Sequence, residues 1–268
     1  MKTVICDTNI WYDLGEGIIS FNQSDEYELC CTHLSLYELI HTERLKEDHI
    51  KVSLACKAVL AYSKRFIQEP PLVYLTNLLQ PVDKKISNSN FLGAIEYLAS
   101  GQLLDEDVMN ELDKHIASYK NTLQKSFISP LFDEIGVMRT IFAENKSIIL
   151  KYKEGIKRED KWKRRIEVLK SKIIKEISPA YPISETNFNE AFWKKIQFYM
   201  RSRIAYSEKL KLDKTMKPEP NDAVDLVNLI YVDADSLYWT NDKRWKNIIK
   251  EAMLGNYLFN NVDLQPKP

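Results

Sequence analysis

Segments with the character of buried strands lie near both ends of this chain, and this limits the folds that it can adopt. Thr3-Val4-Ile5-Cys6 opens the sequence, residues 27–47 read as a strand followed by a helix, and Leu237-Tyr238-Trp239 lies near the carboxyl end. The middle, residues 85–212, carries apolar residues at helical spacing instead. The pattern predicts an α/β protein whose sheet is built from both chain ends, with a mostly helical insertion.

The helical segments follow from the spacing of apolar residues and from the positions of glycine and proline. We therefore expect a discontinuous core, residues 1–84 and 213–268, interrupted by the insertion at 85–212. In the 158–178 segment, Trp162 belongs to an apolar stripe, so we assign it to the core although many basic residues surround it. The expected helices cover 8–14, 50–67, 105–125, 131–153, 158–178, 187–211, 222–231 and a last segment from about 244.

Composition narrows the possibilities further. Seven glycines in 268 residues favour helices over a β-sandwich or barrel. The formal net charge is +0, so any contact with nucleic acid must come from a local patch. No apolar run is long enough for a membrane span and no secretory leader is present, so we expect no membrane partner. Four cysteines in a chain of this length suggest a reducing, cytoplasmic location.

Acidic residues recur where strands end and where helices begin. Asp7 follows the first strand and Asp242 follows the last, while Glu38, Asp222 and Asp225 lie near helix starts. Open parallel sheets bind ligands outside the carboxyl ends of their strands. Carboxylates that meet there would repel one another unless a cation lies between them, and oxygen ligands suit Mg²⁺ or Mn²⁺.

Each acid also has a purely structural interpretation. Asp7 could cap the helix that follows it, and Asp242 could be a turn or cap residue. Ser35 could cap its helix, with Glu38 in the first turn as its capping-box partner. Asp222 and Asp225 could simply complement a helix dipole.

Taken in order, four segments resemble the motifs of PIN-domain nucleases. VICDTNIWYDL matches the opening strand followed by Asp-Thr-Asn, and SLYELI matches the second motif, in which a hydroxyl residue precedes an acid on a helix. NDAVDLVNLIYV resembles the third motif, an acid that opens an apolar helix. LYWTNDKRW resembles the fourth, a strand followed by Thr-x-Asp. The resemblance covers about 1–45 and 218–250.

The resemblance implies a Rossmann-like sheet and metal-dependent hydrolysis of RNA. The implied ligands of Mg²⁺ or Mn²⁺ are Asp7, Glu38, Asp242 and an acid of the third motif, for which Asp225 is preferred and Asp222 is kept as an alternative. Such a nuclease could be a toxin with an inhibitory antitoxin, or a defence effector. The implied supporting residues are Asn9 and Thr240 beside the acids, and the basic residues Lys243, Arg244 and Lys246 toward the RNA substrate.

Other functions remain open from the sequence. A haloacid-dehalogenase-like phosphatase also begins with a strand and an Asp, but its second acid would fall at Asn9. A non-enzymatic RNA-binding or scaffold protein with a degenerate site is the third hypothesis, and residues 151–177, with eleven Lys or Arg, could bind phosphates. Finally, Cys30, Cys31, His33 and His41 could form a zinc site, although their spacing matches no usual one.

Overall fold

The computed structural model places a four-stranded parallel sheet at the centre of the molecule. It describes residues 1–22, 25–80, 89–102, 105–123, 125, 129–156, 159–178 and 187–260. The strands are β1 (Lys2–Cys6), β2 (Tyr27–Thr32), β3 (Ser63–Ile67) and β4 (Ser236–Trp239), in the spatial order β3-β2-β1-β4. The α/β class and the parallel sheet are therefore confirmed, and the strand arrangement is consistent with a Rossmann-like fold.

The first strand is an interior strand that joins the two ends of the chain. In β1, Val4 pairs with Leu29 of β2 on one side and with Leu237 of β4 on the other. The helices are α1 (Thr8–Gly15), α2 (His33–Ile40), α3 (Arg44–Glu47), α4 (His49–Tyr62), α5 (Pro71–Leu79), α6 (Ser89–Ala99), α7 (Glu106–Leu123), α8 (Ser129–Glu144), α9 (Lys146–Ile156), α10 (Glu159–Ile177), α11 (Glu190–Lys195), α12 (Gln197–Leu212), α13 (Pro220–Asn228) and α14 (Lys243–Glu251), with 3₁₀ turns at Leu229–Tyr231 and Gly255–Tyr257.

Helices cover both faces of the sheet, as parallel sheets require. Val4 and Cys6 of β1 share one apolar core with side chains of α1, α4 and α6. Ile5 points to the other face and shares a second core with side chains of α10, α12, α13 and α14. The segment 85–212 therefore contributes helices to both layers of the core. Trp162 is 8% exposed within the second core, which confirms its place in the apolar stripe.

The structure corrects several element boundaries. Residues 63–67, expected to end a helix, form the edge strand β3, whose exposed Lys64 and Arg65 hide a strand pattern. The expected single helix at 187–211 is two helices that meet at Ile196, with Asn189 capping the first. The segment 131–153 is also divided, at Asn145, whose side-chain oxygen accepts a hydrogen bond from the Ser147 backbone.

No helix in the described part of the chain combines the length and the apolar character that crossing a bilayer requires. All four cysteines are buried thiols, and none is in a disulfide.

A close helix crossing fixes the position of α1, the helix that follows β1. Gly15 ends α1 where it meets the backbone of α4, and a Cβ atom on Gly15 would lie 2.5 Å from the Leu54 carbonyl carbon and 2.7 Å from the Ala55 nitrogen. Only a residue without a side chain permits this approach, because real Cβ atoms do not come so close to backbone atoms.

The Gly15→Ala substitution should therefore lower the free energy of unfolding by about 1–3 kcal/mol, since α1 must move away from α4. Gly93→Ala is the matched control, because Gly93 lies on an exposed face of α6 with open space around its Cβ position. The control should be more stable by about 0.5–1 kcal/mol through helix propensity. Urea unfolding measures both, and equal stability of the two variants would contradict the close crossing.

Candidate functional site

The carboxyl ends of β1, β2 and β4 open into a polar cleft of about 470 Å³. Asp7 follows β1 directly, and its backbone N–H donates to the Trp239 carbonyl at 2.9 Å, which extends the pairing of β1 with β4. The cleft is lined by Asp7, Glu38, Asp225 and Asp242 among other residues. The structure therefore brings four sequence-predicted acids, from four different elements, to one place.

Thr240 links the two acids that follow strands. Its hydroxyl donates to Asp7 Oδ2 at 2.7 Å. The Thr240 hydroxyl oxygen also accepts a hydrogen bond from the Asp242 backbone N–H at 3.1 Å. Asp242 itself caps α14, because its Oδ1 accepts the backbone N–H groups of Arg244 at 2.6 Å and Trp245 at 3.1 Å. The cap interpretation of Asp242 is thus confirmed, and the cap fixes this carboxylate at the cleft.

Asp7 occupies the N-cap position of α1, but its side chain makes no capping hydrogen bond to that helix. Its side chain is 3% exposed and accepts the hydroxyl bond from Thr240 instead. The interpretation of Asp7 as a simple helix cap is therefore not supported. Asn9, the other neighbour expected from the sequence, is exposed and lines the cleft.

Glu38 reaches the cleft because two hydroxyl residues anchor α2. Thr32, not Ser35, is the N-cap of α2: its hydroxyl oxygen accepts the Ser35 backbone N–H at 3.2 Å. Ser35 Oγ donates to the Cys6 carbonyl at 3.2 Å and ties α2 to β1. Glu38 lies in the second turn of α2 rather than the first, and the Thr8 hydroxyl donates to its carboxylate. The expected capping box at Ser35 is therefore wrong.

The third-motif acids have different environments. Asp225 lines the cleft, and its Oδ2 accepts a hydrogen bond from the Trp245 indole nitrogen at 2.7 Å. Asp222 is fully buried and is not among the residues that line the cleft. It accepts the Tyr206 hydroxyl at 2.7 Å and the Glu219 backbone N–H at 3.0 Å, and it forms an ion pair with Arg244. Of the two candidates, Asp225 is therefore the one placed beside the other acids.

The three expected basic residues also differ in position. Arg244 lines the cleft, half-buried, and its guanidinium is held by the buried Asp222 carboxylate. Lys243 is exposed and Lys246 is half-buried, and neither is among the described residues lining the cleft. Arg244 is thus the one of the three that the fold directs to the site.

Several residues at the site were missed from the sequence. Thr8 and Trp245 bond directly to Glu38 and Asp225, and Arg44 lines the cleft from the start of α3. Thr8 and Trp245 lie within the first and fourth motif segments. Each carries a polar hydrogen-bond donor close in sequence to a motif acid, and this proximity could have indicated a role at the site. Arg44 had no such signal, because its position depends on how the chain turns after α2.

Burial and mutual repulsion dominate the electrostatics of the acids. Burial raises the pKa of Asp7; the Thr240 hydroxyl bond opposes this rise, and the nearby Asp242 charge adds to it. Burial also raises the pKa of Glu38 to about 7, opposed by the Thr8 hydroxyl. The pKa of Asp225 is raised by burial and then by the charges of Asp7 and Glu38. The three carboxyls therefore act as one coupled group.

A divalent cation suits this group in charge and in donor type. The donors are carboxylate oxygens, which Mg²⁺ and Mn²⁺ prefer, and a cation would remove the repulsion that raises their pKa values. Within the described residues, no group of three or more His, Cys, Asp or Glu side chains is found that could hold a metal ion as placed. The fit of a divalent cation to this group of acids therefore rests on their charge and on their oxygen donors.

The zinc alternative is not supported. Cys30 and Cys31 are successive residues of β2, and they belong to the cores on opposite faces of the sheet. Nδ1 of His33 is 2.9 Å from the Gln68 carbonyl oxygen, and Nδ1 of His41 is 3.0 Å from that of Tyr37. Burial raises the pKa of the Cys30 thiol to about 12, which disfavours the thiolate that zinc requires.

No protein-family model, no curated protein and no solved structure matches this chain.

The raised pKa values have a consequence for stability. The native protein holds protons at a pH where the unfolded chain has released them, so the free energy of unfolding should fall as the pH rises from about 4.5 to about 7, the range set by Glu38. As the carboxyls lose their protons with rising pH, the repulsion between them grows. Protonation at low pH, or a bound cation, would relieve it.

Asp225→Asn should therefore raise the melting temperature of the EDTA-treated protein at pH 8, by about 2–4 °C, because it removes a carboxyl whose pKa is raised in the folded state, and its amide oxygen can still accept the Trp245 bond. At pH 5 the gain should shrink. Asp213→Asn is the control, because bonds from Thr215 lower the pKa of this exposed carboxyl, so that its charge is favourable. Thermal melts at both pH values measure the effect, and a destabilised Asp225→Asn at pH 8 would contradict the repulsion.

Proposed function

We propose that the protein is a metal-dependent ribonuclease that hydrolyses RNA phosphodiester bonds in this cleft. The observation that supports the proposal most is the convergence of Asp7, Glu38 and Asp225 into one electrostatically coupled group beside Asp242. A fold has no structural reason to bring these carboxylates together, because their repulsion costs stability. Perturbed carboxyls in a cleft at the carboxyl edge of a parallel sheet are typical of functional sites.

The proposed roles follow the geometry of the side chains. Asp7, Glu38, Asp225 and Asp242 would hold Mg²⁺ or Mn²⁺. When bound, the ion would supply a hydroxide-like water and would stabilise the charge that develops on the phosphate. Thr240 holds Asp7 and Asp242 in a fixed relation, as an outer hydrogen-bond partner does for metal ligands. Asn9, at the cleft, would orient the bound water or an acid.

Arg244 would bind a phosphate of the RNA substrate. Its guanidinium is held at the cleft by Asp222, so it is pre-positioned for a phosphate oxygen. Lys243 and Lys246, on the same helix, would add attraction for the RNA chain at longer range.

The choice of RNA follows from the motif resemblance, as does a role as a toxin with an inhibitory antitoxin protein or as a defence effector. We also propose a cytoplasmic location, in line with the buried free thiols.

The alternatives have less support. A haloacid-dehalogenase-like phosphatase needs an acid two residues after its first Asp, and Asn9 is an amide that cannot transfer a proton in that role. A scaffold with a degenerate site would not need to retain three buried or half-buried carboxyls whose charges repel one another.

Asp7→Asn should abolish metal-dependent cleavage while the fold persists, because an amide can accept the Thr240 bond but is a poor ligand for Mg²⁺ or Mn²⁺. The assay uses labelled single-stranded and structured RNAs with Mn²⁺, Mg²⁺ or EDTA. Asp13→Asn is the matched control: Asp13 lies on α1, the helix that Asp7 precedes, accepts a bond from Asn241 at 2.6 Å and is not among the residues that line the cleft. It should keep full activity.

Three results would count against the proposal. Cleavage that persists in Asp7→Asn, or that is unaffected by EDTA, would contradict the assignment of Asp7 to a metal. The absence of both cleavage and Asp7-dependent Mn²⁺ binding in the unmodified chain would favour the scaffold alternative.

A further inference from the structure

Arg44 is a cleft residue to which neither the motifs nor the acid cluster assigns a role. It begins α3, immediately after the turn that ends α2, and it lines the same cleft as the acids. Its guanidinium carbon lies over the ring of the buried Tyr12, 4.7 Å from the ring centroid. The side chain as a whole is exposed. A guanidinium that contacts an aromatic ring in this way loses less side-chain entropy when it binds a phosphate.

Arg44 and Arg244 belong to elements that follow the two strands on either side of β1, the strand that Asp7 follows. Asp7 follows β1, which lies between β2 and β4. Arg44 belongs to the connection after β2, and Arg244 belongs to the helix after β4. Each guanidinium has its own support within the protein, namely the Tyr12 ring and the Asp222 carboxylate. The strand order therefore puts the elements that carry the two arginines on opposite sides of β1, and both arginines line the cleft that holds the acids.

The cleft is lined mainly by acidic side chains, so an anionic chain that binds there would need both arginines. Among the described lining residues, Arg44 and Arg244 are the only Lys or Arg side chains, whereas seven are acidic: Asp7, Glu38, Glu43, Glu47, Glu219, Asp225 and Asp242. A polyanion that enters such a cleft must find positive charge at fixed points, or it is repelled. Arginine meets this need well, because its fork matches the oxygens of a phosphate.

We propose that Arg44 and Arg244 bind backbone phosphates of one RNA strand on either side of the phosphodiester that lies at Asp7. The inference rests on the proposed nuclease function and adds the path of the substrate: a single strand crosses the cleft from the β2 side to the β4 side. Arg44 is then a substrate-positioning residue, and Tyr12 holds it in place.

A structural role for Arg44 makes a different prediction. Its charge also lowers the pKa of Glu38, so Arg44 could serve only to offset an acid. In that case its loss would alter the acids but would not change how many phosphates the protein neutralises. The salt dependence of RNA binding separates the two roles, because its slope counts phosphate contacts and not the stability of the acids.

The experiment measures binding of a fluorescein-labelled single-stranded RNA over a range of salt concentrations, with Ca²⁺ in place of Mn²⁺, in the full-length Asp7→Asn chain. Adding Arg44→Gln should weaken binding about 3–10-fold and reduce the slope of log K against log[salt] by about 0.7, the value for one phosphate of a single strand. Arg44→Lys should keep the slope. Lys46→Gln is the matched control, because Lys46 is two residues away, exposed and paired with Asp113. It should leave the slope unchanged.

A slope that is equal in Arg44→Gln and Lys46→Gln would overturn the proposed strand path. A parallel assay of Mn²⁺-dependent hydrolysis of bis(p-nitrophenyl) phosphate, with Asp7 intact, reports on the nuclease function separately, since this diester has a single phosphate and no flanking phosphates for the arginines to bind. If the unmodified chain hydrolyses it but Arg44→Gln leaves the salt slope of RNA binding unchanged, the strand path fails and the nuclease function stands. If the unmodified chain neither hydrolyses it nor binds RNA, both proposals fail.

Discussion

The parallel pairing of β1 with β4 brings the two ends of the chain into one sheet. It joins residues that are more than 230 positions apart, and the Thr240–Asp7 hydrogen bond lies directly beyond its last pair. Closing so long a loop costs entropy that the apolar cores on both faces must offset. Once β1 lies between β2 and β4, the residues after these strands meet at one edge. The site therefore follows from the strand order, and each acid needs only a local anchor.

The local anchors show how a fold can hold acids that repel one another. Thr8, Thr240 and Trp245 each donate to one carboxylate, and these bonds oppose the rise in pKa that burial causes for Glu38, Asp7 and Asp225. They do not cancel it, so the metal-free site remains under strain from its own charges. A protein selected for stability alone would replace such carboxylates with apolar or neutral groups. Their presence together in one open cleft is the physical basis on which we propose a cation and a phosphoester chemistry for this site.

Much of this arrangement was accessible from the sequence. An acid directly after a strand, at Asp7 and at Asp242, predicted that the site lies at the carboxyl edge of the sheet and identified two of its acids. Helical spacing of apolar residues predicted that Trp162 lies in the core. The errors arose where tertiary packing decides local structure. The exposed side chains of β3 hid a strand, a break at Ile196 divided one amphipathic pattern into two helices, and Thr32 took the cap expected of Ser35. The choice between Asp222 and Asp225 required the fold, because both lie on one face of α13 and only their partners differ. Arg44 could not be found at all, since its place beside Tyr12 depends on a turn without a motif.

Cation binding by the acid cluster can be tested with a crystal of the protein soaked in Mn²⁺, with anomalous data collected at a wavelength where manganese scatters strongly. We expect an anomalous peak in the cleft, within direct coordination distance of Asp7 and of at least one of Glu38, Asp225 and Asp242. The same soak of Asp7→Asn crystals should show a weakened peak or none. A cleft without any peak at saturating Mn²⁺, or a peak that does not depend on Asp7, would show that these acids are not the proposed cation site.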